Sequence, residues 1–141
     1  LGLAVKLDTN GSNPAVLKEL ITEGLLDYVA MDIKHSRAKY ASVACSPSFN
    51  LDDIAESVAF LKEGHVDYEF RTTLVKEMHR EADMTAIGMW LMGAKAYYLQ
   101  PYRDSDTVIC PGYHAHSREE LDTFVKILSA FLPKVELRGD I

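Results

Sequence analysis

Short apolar runs alternate along the chain with segments in which apolar residues recur every three or four positions. The runs have the length of buried strands, and the recurring segments have the period of amphipathic helices. The predicted strands cover residues 4–8, 27–33, 68–75, 96–100 and 134–137. The predicted helices run from about residue 14 to 24, from 51 to 62, from 84 to about 93, and from 117 to 132.

Local signals support these helix boundaries. Asn13-Pro14 combines a capping residue with proline at the first helical position, and Gly24 is placed to end that helix. Residues 117–120, Ser-Arg-Glu-Glu, form a capping box in front of the last helix. The apolar stripe of that helix continues to Leu132. The chain therefore reads as repeated strand–helix units.

Strict strand–helix alternation indicates a parallel sheet with right-handed crossovers. Five strands and four helices are about half of a complete barrel, which usually has roughly 250 residues. We expect residues 1–141 to form a single α/β domain. The chain opens on Leu-Gly-Leu-Ala-Val without a methionine or a helix cap. We therefore expect a fragment, whose first strand is an open edge unless a preceding segment pairs with it.

The composition narrows the class of protein. The 141 residues are 48% hydrophobic, which suits a packed core and not a disordered segment. The formal charge of −6 argues against a nucleic-acid surface, because phosphate binding needs clustered Lys and Arg. No apolar run approaches the roughly 18–20 residues of a membrane span. Cys45 and Cys110 form no CxxC pair, which argues against disulfides or structural zinc and fits a reducing cytoplasm.

Polar side chains stand at the carboxyl ends of four of the five predicted strands. They are Asp8 and Thr9, Asp32 and Lys34, Arg71 and Thr73, and Gln100 and Arg103. In parallel βα folds, ligands bind outside these strand ends. Charged residues inside strands are costly to bury unless they are paired or bind a ligand. The repetition at one topological position predicts a binding site at this edge of the sheet.

The residue types suggest what this edge could hold. Two aspartates with threonine and carbonyl oxygens nearby suit a hard cation. Lys34, Arg71 and Arg103 suit a carboxylate or phosphate. Met31 and Tyr102 could border a flat ring system. Together these groups favour a small zwitterionic or anionic ligand, such as a nucleoside with an amino-acid tail.

Each feature also has an interpretation without a ligand. Residues 8–11, Asp-Thr-Asn-Gly, are a common turn sequence. Lys34 can be a solvated residue beyond a strand, and Arg71 can belong to a structural ion pair. His114-Ala115-His116 lacks further ligands nearby in the sequence, so a surface loop is favoured over a metal site.

Five segments, taken together, resemble the radical SAM activating enzymes. The resemblance is closest to the activating component of anaerobic ribonucleotide reductase and more distant to pyruvate formate-lyase activating enzyme. The segments are KLDTNGSNP (6–14), LDYVAMDIK (26–34), YEFRTTLV (68–75), LQPYR (99–103) and VELRG (135–139). They follow the family order and span nearly the whole chain.

The resemblance implies the C-terminal half of a partial (β/α)6 TIM-like barrel that holds a [4Fe-4S] cluster and S-adenosylmethionine (SAM). In that family, reductive cleavage of SAM gives a 5′-deoxyadenosyl radical, which abstracts hydrogen from a glycine of a partner glycyl-radical enzyme. The implied partners are a reductase or lyase of this type and an electron donor such as flavodoxin. No nucleic acid or membrane is implied.

The resemblance also implies roles for individual residues. Asp8, Thr9 and Asp32 would hold a monovalent cation at the SAM end of the site, Lys34 would approach the SAM carboxylate, and Arg103 would be a polar SAM contact. Arg71 and Thr73 would line the inner wall near the adenosyl group. The implied cofactor-binding set is Asp8, Thr9, Asn10, Met31, Asp32, Lys34, Arg71, Thr73, Gln100 and Arg103.

The chain departs from the family in one respect that matters for activity. The CxxxCxxC motif that ligates the cluster is absent, as is the glycine-rich strand end that binds the SAM amino group. Neither Cys45 nor Cys110 can replace three closely spaced thiolates. We expect this chain alone neither to assemble the cluster nor to cleave SAM.

Two other functions remain open from the residues. A Schiff-base aldolase-like barrel would use Lys34 as the nucleophilic amine, with Asp8 or Asp32 as proton shuttle. That hypothesis leaves Arg71, Gln100 and Arg103 unassigned. A non-enzymatic half-barrel could instead serve as an interaction module that self-associates through its exposed edge.

Overall fold

Five parallel strands form one sheet in the computed structural model, which describes residues 3–43, 50–103 and 113–138. They are β1 (Lys6–Thr9), β2 (Tyr28–Asp32), β3 (Asp67–Leu74), β4 (Tyr97–Pro101) and β5 (Val135–Leu137). Each strand pairs with the next in the chain, so the sheet order is β1-β2-β3-β4-β5. The predicted α/β class is therefore confirmed, and each boundary lies within two residues of its prediction.

Helices fill the connections between the strands. They are α1 (Pro14–Thr22), α2 (Tyr40–Val43), α3 (Leu51–Lys62), α4 (Glu81–Leu91) and α5 (Arg118–Ser129). Asn13 caps α1 through its side chain, which accepts from the Val16 amide at 3.2 Å. Ser117 and Glu120 form the predicted capping box of α5. In the described residues, no helix is long and apolar enough to cross a membrane.

One helical segment was not predicted. After β2 the chain forms a 3₁₀ turn at Arg37–Lys39, which leads directly into α2. These two elements together are too short to give an apolar period, so the sequence carries little signal for them. They matter because Tyr40, at the start of α2, is buried beneath the end of β2.

The order of the strands puts the described helices on one face of the sheet. Because each parallel connection moves to the next strand with the same right-handed sense, all crossovers lie on the same side. The covered face carries fully buried strand side chains, including Val29, Met31, Phe70, Leu74 and Leu99. They pack against helix residues that include Leu17, Ile54, Leu61, Met84, Ile87, Phe124 and Leu128. This interface is the hydrophobic core.

The opposite face of the sheet is rich in polar side chains, and we call it the polar face. Side chains alternate along a strand, so every second residue points to this face. It presents Lys6, Asp8, Tyr28, Asp32, Glu69, Arg71, Thr73, Tyr98 and Gln100, with Arg138 just after β5. In a barrel, this face would be the inner wall.

Gly11 fixes the loop between β1 and α1 close to the core. Its φ of 75° is in the left-handed region, and a Cβ atom there would overlap the methyl group of Met31. Its carbonyl accepts a hydrogen bond of 2.8 Å from Ser57 on α3. The loop that follows Asp8 is thus held against both β2 and α3.

Candidate functional site

Four charged side chains converge at the carboxyl ends of β1, β2 and β3. Asp32 and Arg71 are register partners on neighbouring strands, and Nε of Arg71 donates to Oδ1 of Asp32 at 2.6 Å. Nη1 of Arg71 lies 3.6 Å from Oδ1 of Asp8 on β1, and Nζ of Lys34 lies 3.7 Å from Oδ2 of Asp32. Ala30 on β2 is the register partner of Asp8 on β1 and of Glu69 on β3. The structure therefore brings together these four predicted site residues.

Arg71 is the electrostatic centre of this group. Its side chain is 19% exposed, whereas those of Asp8 and Asp32 are 59% and 35% exposed. Burial alone would lower the pKa of Arg71, but the hydrogen bond and the charge of Asp32, with Asp8 beyond, raise it above its ordinary value. The guanidinium therefore stays charged and holds two carboxylates on the polar face.

The Asp8-Thr9-Asn10-Gly11 sequence forms an ordered turn. The Thr9 hydroxyl accepts from the Gly11 amide at 3.0 Å, and the Asn10 side chain accepts from the Ser12 amide at 2.9 Å. Both side chains are thus used within the turn. Because Thr9 adjoins Asp8 on a strand, its side chain points to the helix-covered face while that of Asp8 points to the polar face.

Met31 is not brought to the charged group by its side chain. It lies between Ala30 and Asp32 on β2, points to the helix-covered face and is fully buried. Its methyl and sulfur pack against Gly11. The predicted use of Met31 as a border for a ring bound on the polar face is therefore incompatible with this geometry, because strand alternation sends its side chain into the core.

Further along the sheet, four polar residues surround an open depression on the same face. Thr73 and Gln100 are register partners on β3 and β4. With Pro101, Arg103 and Arg138, they line a space of about 300 Å³. This part of the site therefore combines hydrogen-bonding groups with two guanidinium groups, beside the group centred on Arg71.

A second ion-pair cluster on the polar face was not anticipated from the sequence. The Glu69 side chain is only 3% exposed and accepts from Arg138 Nη1 at 2.6 Å and from the Tyr28 hydroxyl at 2.7 Å. The Arg138 guanidinium lies 3.7 Å from the centre of the Tyr98 ring, within stacking distance. The available signal was a glutamate between two buried aromatics, Tyr68 and Phe70, inside a strand.

This second cluster keeps Glu69 ionised. Burial would raise the pKa of its carboxyl, but the hydrogen bonds from Arg138 and Tyr28 outweigh that effect and hold it below the ordinary value. Burial and the bond to Glu69 in turn raise the pKa of Tyr28. The polar face therefore carries two neutralised charge groups on adjacent parts of β3.

The two histidines of the His114-Ala115-His116 segment have different environments. His114 is exposed, and its Nδ1 lies 2.7 Å from Oε2 of Glu77. His116 is 6% exposed, and its Nε2 donates to the carbonyl of His79 at 2.7 Å. The prediction of a surface loop is thus correct for His114 and wrong for His116. The ring of His116 packs edge-on against Phe124 of α5, which a sequence pattern does not show.

The resemblance implies an iron–sulfur cluster and a monovalent cation in the full-length enzymes. In the described ranges no group of three or more His, Cys, Asp or Glu side chains is arranged to hold a metal ion. Cys45 and Cys110 both lie outside the described residues. The residues present do not fit an iron–sulfur cluster, and we assign it to none of them. Asp8 and Asp32 supply carboxylate oxygens at this edge, and both carboxylates are paired with Arg71.

Comparison with known proteins gives a homologue for most of the chain. No protein-family model matches. The chain is 34% identical over 108 residues, 74% of its length, to a protein of Methanocaldococcus jannaschii described as "Putative glycyl-radical enzyme activating enzyme". The match covers 45% of that protein, so the chain spans about half the length of this relative.

A solved structure shares the fold. A domain of pyruvate-formate lyase-activating enzyme from Bacteroides vulgatus superimposes with a TM-score of 0.74, over 98% of this chain and 83% of that domain. The sequence identity is 16%, so this likeness shows the fold and no more.

The sheet order and the helices on one face define a parallel α/β protein, with charged side chains at the carboxyl edge of its sheet. Within that class, the chain is homologous to a glycyl-radical enzyme activating enzyme. The resemblance predicted from the five sequence segments is thereby confirmed.

Proposed function

We propose that this chain forms the SAM-binding wall of a radical SAM enzyme that activates a glycyl-radical enzyme. The observation that carries the proposal is the convergence of Asp8, Asp32, Lys34 and Arg71 on the polar face. Ionised groups of both signs, side by side at parallel strand ends, complement a zwitterion. The homology to an activating enzyme supports SAM as that zwitterion.

Lys34 is proposed to bind the SAM carboxylate. Its side chain is 51% exposed, and its ammonium group lies 3.7 Å from Asp32, so it can approach a ligand without a large rearrangement. Asp8 and Asp32 are proposed to hold a monovalent cation beside that carboxylate. Thr9 would contribute through its backbone carbonyl, because its hydroxyl is used by Gly11. Arg71 would limit the repulsion between the two aspartates.

The remaining contacts are proposed for the adenosyl part of SAM. Thr73 and Gln100 supply a hydroxyl and an amide at one edge of the depression, and Arg103 supplies a cation at its rim. Asn10 is exposed at the turn after β1, where its free amide edge could contact the ligand's polar end. The side chain of Met31 would support the site only from below, by fixing Gly11.

The proposed reaction also needs groups beyond the described residues. When bound together, SAM and a [4Fe-4S] cluster would supply the radical chemistry that removes a hydrogen atom from a glycine of the partner. The proposed partner is a glycyl-radical enzyme of the ribonucleotide reductase or pyruvate formate-lyase type, with flavodoxin as an electron donor in the cytoplasm. The chain by itself is proposed to be inactive.

The two alternative functions are a Schiff-base aldolase and a self-associating interaction module. A Schiff-base aldolase would use Lys34 as a nucleophile, and the homology to an activating enzyme gives that hypothesis no support. Self-association through the outer edge of β1 stays a prediction.

The proposal is tested by measuring SAM affinity in the protein as it is encoded, reconstituted without oxygen. Lys34→Gln should raise the dissociation constant about tenfold, the loss expected for one charge-assisted contact. Lys95→Gln is the matched control, since Lys95 is also exposed and paired with one aspartate, Asp67, at the amino end of β3. No SAM binding by the unaltered protein, or equal affinity in both variants, would refute the proposal. Borohydride trapping of a carbonyl compound on Lys34 would favour the aldolase instead.

A further inference from the structure

Two histidines are buried together behind the loop that carries Lys34. His35 and His79 are 1% and 2% exposed, and their rings stack with centroids 4.6 Å apart and planes inclined by 16°. His35 follows β2, and His79 lies between β3 and α4. Neither residue belongs to the charged group on the polar face, and a buried imidazole is a costly way to fill a core.

The hydrogen bonds of this pair cross-link the two loops. Nε2 of His79 lies 2.9 Å from the carbonyl oxygen of Lys34, and Nε2 of His35 lies 2.8 Å from the carbonyl oxygen of Met78. Each loop therefore supplies a histidine that donates to the backbone of the other. The exchange fixes the separation of the two loops at the carboxyl edge of the sheet.

The backbone also fixes the tautomer of both rings. Nδ1 of His79 accepts from the Val75 amide at 3.1 Å, and Nδ1 of His35 accepts from the Ser36 amide at 2.7 Å. A nitrogen that accepts from an amide carries no proton, so Nε2 of each neutral ring must carry it. In this tautomer that proton is the one that each ring donates to a carbonyl. The carboxylate of Asp83 also faces the pair, with Oδ2 3.7 Å from Nε2 of His35.

Both peptide groups of Lys34 are held by buried side chains. Its carbonyl accepts from His79, and its amide donates to the hydroxyl of Tyr40 at 3.1 Å. The preceding amide, that of Ile33, donates to the carbonyl of Arg71 at 2.8 Å. Three hydrogen bonds therefore fix the backbone at Ile33 and Lys34, although the Lys34 side chain itself is exposed.

We infer that His79 and His35 are positioning residues for Lys34, and that they set the affinity of the site for the carboxylate of its ligand. This inference rests on the proposed function, because it takes Lys34 to be a ligand-binding group. The histidines touch no ligand. They act by restricting the direction of the Lys34 Cα–Cβ bond, and a shift of about 1 Å in a binding group is enough to weaken a specific contact strongly.

Two substitutions of His79 separate positioning from packing. Both His79→Gln and His79→Asn remove the ring and its stacking on His35. The glutamine amide nitrogen can occupy the place of Nε2 and keep the donor to Lys34, whereas the asparagine oxygen can replace only the Nδ1 acceptor. In the encoded protein, reconstituted without oxygen, we expect H79N to raise the SAM dissociation constant about tenfold and H79Q to raise it less than about threefold. The two variants should melt at similar temperatures.

The outcomes separate this inference from the function on which it rests. No SAM binding by the unaltered protein refutes the proposed function. If the unaltered protein binds SAM, two results refute the positioning role alone. One is an equal loss of SAM affinity in H79N and H79Q, and the other is no loss of affinity in H79N. His65→Asn is the control, because His65 is an exposed histidine paired with Glu63, far from this loop. If H79N does not fold, Tyr40→Phe removes the hydrogen bond to the Lys34 amide and should also weaken SAM binding. In that case a loss of about tenfold in H79Q, which keeps the donor to the Lys34 carbonyl, overturns the inference.

Discussion

Arg71 and Asp32 face each other across neighbouring parallel strands, with Nε of one 2.6 Å from Oδ1 of the other. A second carboxylate, that of Asp8, lies 3.6 Å from the same guanidinium. Arg71 therefore holds the side chains of Asp8 and Asp32 in place at the carboxyl edge of the sheet. For the proposed ligand, side chains fixed in this way would reduce the ordering entropy lost on binding.

Removing the central cation should destabilise the fold. Arg71→Met leaves two neighbouring carboxylates without their common partner in a partly buried setting, and we expect a loss of about 1–3 kcal/mol in the free energy of unfolding. Urea denaturation at neutral pH measures it. Lys95→Met removes the cation of the exposed Lys95–Asp67 pair and should cost less than about 0.5 kcal/mol. Equal losses in the two variants would contradict the central role of Arg71.

The Glu69–Arg138 pair should show strong coupling in a double-mutant cycle. Glu69→Gln keeps the volume of the side chain but removes its charge, so we expect a loss of about 2 kcal/mol. Arg138→Met leaves the buried Glu69 carboxylate without its cationic partner and should reduce the free energy of unfolding at least as much. Since both changes remove one interaction, the double variant should lose about 1–3 kcal/mol less than the sum of the single losses. Additive losses would mean that the pair contributes no interaction of its own.

The same pair should affect stability in acid. The folded pKa of Glu69 lies below its ordinary value of 4.5, because the bonds from Arg138 and Tyr28 outweigh burial. The unfolded chain therefore takes up the proton first, so this contribution is complete above about pH 4.5 and is lost as the pH falls through the folded pKa. Thermal melting between pH 6 and 3 should show a smaller decline in Glu69→Gln than in the unaltered protein. Parallel declines would contradict this.

His79 should cause a loss of stability at a higher pH. Burial holds its pKa below the ordinary value of 6.5, and the adjacent His35 adds to the effect. The folded state thus binds the proton less readily than the unfolded state. Stability from the neutral ring is complete above about pH 6.5 and declines as the pH falls from there towards the folded pKa. Melting curves between pH 7.5 and 5 should decline less steeply in His79→Gln, which has no group to protonate.

Two glycines with similar backbone angles should respond differently to alanine. Gly11 and Gly24 have φ values of 75° and 71°, so both substitutions carry the strain of a left-handed residue, about 1 kcal/mol. A Cβ at Gly24 meets nothing within 4 Å, whereas one at Gly11 would displace the buried Met31 side chain. We expect Gly11→Ala to cost about 1–2 kcal/mol more than Gly24→Ala in urea denaturation. Similar costs would show that Met31 relaxes freely.

The alternation of apolar runs and amphipathic stripes was sufficient to predict the sheet. The spacing of apolar residues and the length of each apolar run distinguish helices from strands. Because each strand pairs with the next one in the chain, few sheet topologies remained possible. The charged strand ends were also predictable, since parallel strands gather their carboxyl ends. The pairing of Asp32 with Arg71 follows from their positions one step beyond matched apolar runs.

The missed features depend on contacts between distant segments. Glu69 finds Arg138 across 69 residues, and His79 finds the carbonyl of Lys34 across 45. Local sequence patterns cover too few residues to reveal pairs that are this far apart in the chain. Met31 shows a different error. Its thioether side chain is suited to contact a flat ring, but the alternation of side chains along β2 points it into the core.

The chain-ordered sheet has a consequence for synthesis on the ribosome. Each strand from β2 onwards can dock onto the strand made just before it, so the sheet can grow in the direction of translation without waiting for distant segments. The Glu69–Arg138 contact forms later, because β3 must wait for the residue that follows β5. Until then Glu69 has the Tyr28 hydroxyl of β2 as a partner but no guanidinium, so its ion pair with Arg138 would mark β5 as in place.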